Sequence, residues 1–381
     1  MEVKRKVSEF LKRETVLTVA ILLAIVSAVM IPPDRKYAGY IDFRTLSILF
    51  CLMTVMAGLQ KLGVFRNIAK TLLRYTQNTI QLVEVLVLLC FFFSMIITND
   101  VSLITFVPFT FIVLRLTGEE AVKKLAVPVI VLQTIAANLG SMLTPIGNPQ
   151  NLYLYGKTQM SAGTFILLML PYSLVSLLLL VICGVIVAKR SRIEVRGAEV
   201  LLTEDEKLEQ KKYLLPAYLL LFVLCLLTVA HMIPYPVTLV TVALAVLLLD
   251  RGTIIKVDYS LLLTFVGFFI FIGNMGRMPA FCDFLQKIIG GREVMTAVIA
   301  SQVISNVPAA LLLSGFTENI TALIIGTNLG GLGTLIASMA SLISYKQVAR
   351  QIPGEKKKYF GWFTIANIVF LMILVLENCL L

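Results

Sequence analysis

Two polar motifs occur twice in an otherwise apolar chain, and the first combines hydroxyl and amide side chains. Its members are Ser94, Thr98 and Asn99 in the first copy and Ser301, Ser305 and Asn306 in the second, 207 positions later. Such side chains supply neutral oxygens and N–H or O–H donors. Oxygen atoms suit hard cations such as Na+, whereas N–H groups at a helix N-terminus suit an oxyanion. The motif therefore predicts a site for an ion or small solute; a polar turn is the alternative.

The second motif begins with Asn138-Leu139-Gly140 and recurs as Asn328-Leu329-Gly330, 190 positions later. It continues with Thr144, Pro145, Gly147 and Asn148 in the first copy and with Thr334 and Ser338 in the second. Glycine lets a chain leave a helix, and proline frees backbone carbonyls that a cation can use. Polar, broken segments are costly in lipid unless they line a cavity. We therefore expect a broken helix in each copy, with tight helix packing as the alternative. The residues expected to face one cavity are Thr144, Asn148, Thr334 and Ser338.

Asp100 is the one ionisable residue inside the duplicated motifs, and Val307 occupies its position in the second copy. A carboxylate within the membrane is costly and is a functional candidate by default. It would bind a cation or carry a proton, unless it only caps the helix that follows. The predicted substrate and ion ligands are therefore fifteen residues: Thr98, Asn99, Asp100, Asn138, Gly140, Thr144, Pro145, Gly147, Asn148, Ser305, Asn306, Asn328, Gly330, Thr334 and Ser338. A sodium ion would take oxygens from Thr98, Asn99, Asn138, Ser305, Asn306 and Asn328.

The composition is that of a polytopic membrane protein. Of 381 residues, 58% are hydrophobic and only 14% are charged, whereas about a quarter are charged in soluble domains. No soluble domain remains once the spans are assigned, so the net charge of +11 indicates topology and not nucleic-acid binding. One histidine and six scattered cysteines give no metal-binding spacing, and no nucleophile has a paired base. We expect a protein that is not an enzyme and has no cofactor, with Na+ as a candidate coupling ion.

Apolar runs of about 17–25 residues predict the membrane elements that position both motifs. The predicted spans are 15–31, 43–60, 124–156 (broken), 163–188, 213–230, 237–249, 258–276, 320–345 (broken) and 359–377. Polar breaks also divide 81–115 and 293–316, and these segments either cross twice or turn back as re-entrant hairpins. Amphipathic helices are predicted at 64–76 and 279–290.

The distribution of basic residues favours re-entrant hairpins. With nine full spans and the N-terminus inside, the inside segments hold 26 Lys and Arg residues and the outside segments hold seven. Positive charge collects in cytoplasmic loops, so this topology agrees with the general rule. It predicts a multi-pass protein of the cytoplasmic membrane, surrounded by the lipid bilayer, with the C-terminus outside.

The chain divides into two repeats separated by a linker and one extra span. Repeat 1 covers 1–188, the cytoplasmic linker and extra span cover 189–230, and repeat 2 covers 231–381. Asp42-Phe43 and Asp258-Tyr259, 216 positions apart, extend the match beyond the polar motifs. The extra span makes repeat 2 enter from the opposite face. The predicted fold is therefore all-α, with a re-entrant hairpin and a broken helix in each of two inverted-topology repeats.

At these motifs, and over nearly its whole length, the sequence resembles the ion transporter superfamily. This group includes arsenite permeases, sodium–proton antiporters, citrate transporters and divalent anion:sodium symporters. Thr98-Asn99-Asp100 and segment 140–151, which reads Gly-Ser-x-x-Thr-Pro-x-Gly-Asn-Pro-Gln-Asn, are most similar to the arsenite-permease and antiporter branch. The resemblance implies a homodimer with a fixed scaffold domain and a transport domain that moves like an elevator.

The resemblance also implies that hairpin tips and broken helices form the transport site. In the dicarboxylate symporters each tip carries Ser-Asn-Thr, whereas the tips here are Thr98-Asn99-Asp100 and Ser305-Asn306-Val307. The asparagine and serine positions of both tips carry over, the serine of the first as Thr98. The final threonine carries over in neither tip, so the tips do not imply a dicarboxylate substrate.

We expect a secondary active transporter that moves a small anion or metalloid with Na+ or H+. Two transport alternatives stay open: a Na+/H+ antiporter centred on Asp100, and an arsenite efflux permease, because arsenite is largely uncharged at neutral pH. A channel is less consistent with two half-sites, which suit alternating access. A membrane receptor lacks support, because the 189–212 linker is too short to fold as a signalling domain.

Overall fold

The computed structural model describes residues 14–191, 193 and 214–381, and this part of the chain contains helices and turns but no strand. Its first half contains α1 (Thr15–Met30), α2 (Phe43–Lys61), α3 (Val64–Leu73), α4 (Thr79–Ile97), α5 (Asn99–Thr117), α6 (Glu119–Ser141), α7 (Pro149–Gly156) and α8 (Ala162–Ser191). Its second half contains α9 (Leu214–Val229), α10 (Tyr235–Leu249), α11 (Tyr259–Met275), α12 (Pro279–Ile289), α13 (Glu293–Ile304), α14 (Asn306–Leu313), α15 (Ile320–Leu329), α16 (Met339–Gln351) and α17 (Lys356–Leu380). The all-α expectation is confirmed. The basic N-terminal segment and most of the predicted linker lie outside the described residues.

The order of helix types recurs along the chain. Helices α1 to α8 have counterparts in α10 to α17: two spans, an amphipathic helix, a hairpin, a broken helix and a final span. Helix α9 lies between the two sets, where the sequence predicts the extra span. The inverted orientation of the second set relative to the membrane stays a prediction.

Each hairpin consists of two helices joined at a single residue, Thr98 in the first and Ser305 in the second. In the first hairpin α5 turns back along α4, and the Ser102 hydroxyl donates to the Cys90 carbonyl at 3.3 Å. The arms of the second hairpin have 12 and 8 residues, about 18 and 12 Å of helix. Since a hydrocarbon core is about 30 Å thick, these arms favour re-entry over crossing.

Six helices of the described residues are long and apolar enough to cross a membrane. A seventh span is counted if α11 and α12, which are bent by 106° at their junction, form one broken span. Two of the six are the hairpin arms α4 and α5, whereas the apolar helices α1, α9 and α10 have only 15 or 16 residues. The molecule is thus a polytopic membrane protein, and the count of nine full spans stays a prediction.

The helices form two groups. The scaffold group comprises α1, α2, α9, α10 and α11, and the hairpin group comprises α4 to α8 and α13 to α17. Within the scaffold group α1 packs on α11 and α10 packs on α2, so each first span packs on the second span of the other half. The Asn274 amide donates to the Ser27 hydroxyl at 3.0 Å in the contact between α1 and α11. Amphipathic α3 and α12 connect the two groups in chain order.

A partly buried ion pair joins α2 to the turn after α10. Lys61 Nζ lies 2.7 Å from Asp250 Oδ1, and the hydroxyls of Tyr218 and Thr253 also donate to Asp250. The Asp250 side chain is 5% exposed and that of Lys61 is 34% exposed. The pair therefore holds a buried carboxylate within the scaffold group.

Lys61→Met is expected to lower the free energy of unfolding by about 1–3 kcal/mol, because it removes a cation from a buried carboxylate that solvent screens only in part. The Tm of the purified protein in detergent measures this change. Lys124→Met is the control, because both members of its pair with Glu120 are exposed and such pairs contribute little. Equal Tm losses in the two variants would contradict a special role for the Lys61 pair.

Candidate functional site

The two hairpin tips share an uncommon backbone conformation. Thr98 has φ 72° and ψ 152°, and Ser305 has φ 76° and ψ 154°. Residues with a side chain rarely adopt this region, at a cost of about 1–3 kcal/mol, and such strain concentrates at functional sites. In the described part of the chain His231 is the one other non-glycine residue with positive φ. The matched strain at equivalent positions supports a binding role for both tips.

Each tip is bound to the break in the broken helix of its own half. The Asn99 backbone N–H donates to the Gly147 carbonyl at 3.1 Å, and the Asn306 N–H donates to the Ala337 carbonyl at 2.9 Å. These carbonyls lie in the breaks between α6 and α7 and between α15 and α16. Tip and break therefore form one unit in each half.

The predicted threonines of the second motif attach the hairpins to the breaks. The Thr144 hydroxyl donates to the Met95 carbonyl at 2.5 Å, and the Thr334 hydroxyl donates to the Gln302 carbonyl at 3.1 Å. Thr334 is also exposed. This placement differs from the expectation that both face one cavity, because the last turns of α4 and α13 present free carbonyls that take these hydroxyls.

Gly140 and Gly330 let the hairpins approach the broken helices closely. A Cβ on Gly140 would lie 2.0 Å from the Phe91 carbonyl oxygen and 2.5 Å from Ser94 Oγ. A Cβ on Gly330 would lie 2.6 Å from Ser301 Oγ. Only glycine fits at these distances. This explains why each half of the chain pairs a serine on the hairpin with a glycine on the broken helix.

Four side chains of the broken helices bind one another across the two halves. Ser338 Oγ donates to Asn138 Oδ1 at 2.9 Å, and Asn148 Nδ2 donates to Asn328 Oδ1 at 3.1 Å. By the repeat, Asn138 corresponds to Asn328 and Asn148 to Ser338, so the two hydrogen bonds are equivalent. All four side chains are buried. We call these four residues the amide cluster.

The first hairpin tip extends the amide cluster. Asn99 Nδ2 donates to Asn138 Oδ1 at 3.2 Å, and Asn138 Nδ2 donates to the Gly331 carbonyl at 3.4 Å. Asn306, from the second tip, is buried beside Gly331, and a Cβ on Gly331 would lie 3.0 Å from the Asn306 amide nitrogen. Both tips and both breaks therefore converge on one buried place.

Asn151 joins the cluster although it is not among the predicted ligands. Its Oδ1 accepts from Asn328 Nδ2 at 2.6 Å, and its Nδ2 donates to the Thr144 carbonyl at 3.2 Å. Asn148 is the N-cap of α7 and accepts from the Asn151 N–H at 2.9 Å. The N-cap spacing Asn148-Pro149-Gln150-Asn151 is the signal that would place Asn151 beside the break.

A cavity of about 170 Å³ lies between the first hairpin tip and the scaffold group. Thr98, Asp100 and Asn148 line it from the hairpin group, and Lys256 and Asp258 line it beside α11. Among the described residues, Oδ1 of Asp100 is buried with no hydrogen-bond partner. Since a water occupies about 30 Å³, the cavity has room for a cation with a few waters beside two carboxylates.

Lys256 and Asp258 are site candidates that the polar motifs do not mark. Asp258 caps α11 and accepts from the Leu261 N–H at 3.0 Å. Its repeat counterpart, Asp42, caps α2 and accepts from the Thr45 N–H at 2.9 Å. Both aspartates therefore have the same capping role in the two halves. The shared cavity of Lys256, Asp258 and Asp100, in contrast, depends on the tertiary fold.

The predicted site residues are divided between two places. Thr98 and Asp100 line the cavity, Asn99, Asn138, Asn306 and Asn328 belong to the amide cluster or its extension, and Asn148 belongs to the amide cluster and also lines the cavity. The Ser305 hydroxyl donates to the Ala337 carbonyl at 3.4 Å, and Pro145 and Gly147 are buried in the first break. A sodium site built from the six predicted ligands stays a prediction.

The family model for citrate transporters matches residues 7–320 of the sequence. The chain belongs to the citrate transporter family. This citrate transporter family member is 31% identical to an uncharacterized transporter of Methanocaldococcus jannaschii over 88% of each chain. It is 32% identical to an inner membrane protein of Escherichia coli over 82% of each chain. A silicon efflux transporter of Oryza sativa subsp. japonica is 32% identical over 40% of this chain and 31% of its own length.

Citrate transporters are one of the groups in the superfamily that the motifs resemble, so that expectation is confirmed. The family and the archaeal and rice relatives are named as transporters, so the citrate transporter family member is a transporter and not an enzyme. The closer similarity of its motifs to the arsenite-permease branch stays a prediction.

Proposed function

We propose that this citrate transporter family member is a secondary active transporter of a small anion, driven by Na+ or H+ across the cytoplasmic membrane. The observation that carries the proposal is the amide cluster, where both broken helices and the first hairpin tip meet. Secondary transporters bind substrate at discontinuous helices between two repeats. A buried site shared by two halves suits alternating access.

The amide cluster would bind an anion through neutral donors. Asn138, Asn148 and Asn328 each contribute an Nδ2 group, and Ser338 contributes a hydroxyl. In the structure these groups bond one another or nearby carbonyls. A bound anion would replace bonds between the halves with bonds to itself. Substrate binding would therefore change the contact that joins the two halves. The substrate would then bind with different affinities to the conformations with and without that contact, and so shift the balance between them.

Asp100 would bind the coupling cation. It lies where the first tip meets the scaffold group, and Asp258 lines the same cavity. Lys256 can balance only one of the two carboxylates. A sodium ion or a proton would neutralise the other and favour docking of the tip on the scaffold group. Cation binding would thereby control the position of the hairpin group.

Transport would proceed by an elevator motion of the hairpin group against the scaffold group. Helices α3 and α12, which connect the groups, are strongly amphipathic and would lie at the membrane surface. The superfamily resemblance supports a homodimer that holds the scaffold group fixed. We retain the topology with the N-terminus inside and the C-terminus outside, because it agrees with the distribution of basic residues.

Uptake by purified protein in proteoliposomes tests the proposal. Vesicles receive radiolabelled citrate, succinate, sulfate, phosphate or arsenite under a Na+ gradient, a pH gradient or neither, with protein-free vesicles as the control. We expect uptake of one anion that requires one of the gradients. Sodium-driven proton movement without any added anion would instead support the antiporter. Single-channel currents would contradict a secondary transporter.

Metalloid efflux is a second candidate function. The four side chains of the amide cluster are neutral, which suits an uncharged hydroxylated solute as well as an anion. The rice relative is named a silicon efflux transporter. Counterflow of arsenite in the same vesicles, with none of the organic anions transported, would select this candidate.

A further inference from the structure

A groove of about 680 Å³ opens between α6, α8 and α17, away from the amide cluster and the Asp100 cavity. Its rim carries four basic side chains and one acidic side chain, so the net charge of the lining is +3. The basic residues are Lys123, Lys124, Arg190 and Lys358, and the acidic residue is Glu120. These residues come from the N-terminal ends of α6 and α17 and the C-terminal end of α8. The sequence topology assigns all three ends to the cytoplasmic side. The rim is therefore a basic patch built from three separate helices.

From this rim the groove continues along an apolar wall. The lining residues of α17 run from Lys358 to Phe370, about 18 Å of helix. Trp362, the single tryptophan of the chain, lines the groove one turn from Lys358 and is 44% exposed. Tryptophan is enriched at the level of lipid head groups. The other walls are formed by Val131 and Leu132 of α6 and by Ile186 and Val187 of α8.

We propose that this groove binds an anionic phospholipid, with its phosphate at the basic rim and one acyl chain along the apolar wall. Basic pockets between membrane helices on the cytoplasmic side bind anionic head groups. The rim charge selects an anionic lipid over a zwitterionic one, and the length of the apolar wall selects a lipid over free phosphate. Lys124 is paired with Glu120 at 2.6 Å and Lys358 with Glu355 at 3.1 Å, both in solvent-accessible pairs. A second copy of the chain would have to desolvate these pairs together with Lys123 and Arg190, which is costly unless that copy supplies further acidic partners.

A lipid in this groove would join three helices of the hairpin group. Helix α6 carries Asn138 of the amide cluster, and α8 and α17 are the final spans of the two halves. The lipid would therefore bridge elements from both halves and stabilise the hairpin group as one unit. Its binding depends on neither the substrate nor the coupling cation, so it can be tested separately from the proposed function.

Native mass spectrometry of the delipidated full-length protein tests this proposal. We expect titration with dioleoyl phosphatidylglycerol to give one retained lipid per chain and a higher Tm, which dioleoyl phosphatidylcholine and inorganic phosphate do not give. The triple variant Lys124→Gln, Arg190→Gln, Lys358→Gln should bind phosphatidylglycerol on the order of 100-fold more weakly. The triple variant Arg35→Gln, Lys36→Gln, Lys287→Gln removes the same charge at exposed positions outside the groove and should retain binding.

Ala366→Phe separates the acyl contact from the charge. Ala366 lines the groove and is partly exposed, so a larger side chain can enter the groove without filling the protein core. We expect this variant to fold and to lose phosphatidylglycerol while it keeps all four basic groups. Equal retention of phosphatidylcholine, equal protection by inorganic phosphate, or unchanged lipid binding in the basic-rim variant would each overturn the proposal. Loss of a dimer in either groove variant would show a contact between copies instead.

Discussion

Gly140→Ala is expected to reduce transport on the order of 100-fold, and Gly330→Ala should act in the same direction. The new Cβ at position 140 would lie 2.0 Å from the backbone carbonyl oxygen of Phe91, which cannot rotate away. Overpacking of this kind costs about 1–3 kcal/mol and moves the neighbouring backbone. Here the displaced backbone is the hairpin arm that holds Asn99 against Asn138. A shift of about 1 Å at a binding site can cost 100-fold in rate.

The initial rate of anion uptake in proteoliposomes measures the effect of these glycine variants. Gly39→Ala and Gly361→Ala are matched controls, because a Cβ at either position meets no atom within 4 Å. Size-exclusion chromatography and Tm show whether each variant is folded. Wild-type uptake by folded Gly140→Ala would mean that close docking of the hairpin on the broken helix is not needed for transport.

Asp100→Asn is expected to remove the dependence of transport on the coupling cation. Asparagine keeps the size of the side chain and removes its charge, so the cavity keeps its shape and loses one of the two carboxylates that line it. If Na+ is the coupling ion, its apparent affinity should fall about tenfold or more. If a proton is the coupling ion, uptake should become insensitive to the pH gradient.

Two further variants show whether the Asp100 effect is local. Asp258→Asn removes the second carboxylate of the cavity, and asparagine remains a good N-cap for α11, so a smaller loss of cation affinity is expected. Asp283→Asn lies on the exposed face of α12 and should leave cation dependence unchanged. Unchanged Na+ and pH dependence in a folded and active Asp100→Asn protein would exclude Asp100 as the coupling residue.

Most helices of this protein can be predicted because local chemistry marks where each begins and ends. Asn148-Pro149 is one example: asparagine caps the helix and proline occupies its first position, so α7 begins there. The second break is less well marked. It runs from the end of α15 at Leu329 to the start of α16 at Met339, and no proline in that segment marks the start.

The partners within the site could not be predicted from spacing. The repeat shows that Asn138 and Asn328 have equivalent surroundings, but it does not show that Asn138 binds Ser338, 200 positions away. That pairing depends on how the two halves face each other. The same reason hides the approach of Lys256 and Asp258 to Asp100, since two groups of helices must pack before the cavity exists.

The packing of α1 on α11 sets an order of events during synthesis. Helix α1 ends at Met30 and α11 begins at Tyr259, so more than 200 residues are translated before α1 can meet its partner. At about 5–20 residues per second this takes on the order of ten seconds or longer. During that interval the Ser27 hydroxyl can donate to the Ala24 carbonyl of its own helix, but its partner on α11, Asn274, has not yet been synthesised. The nascent first half is therefore an incomplete insertion intermediate, and the two halves of the transporter reach their final packing together.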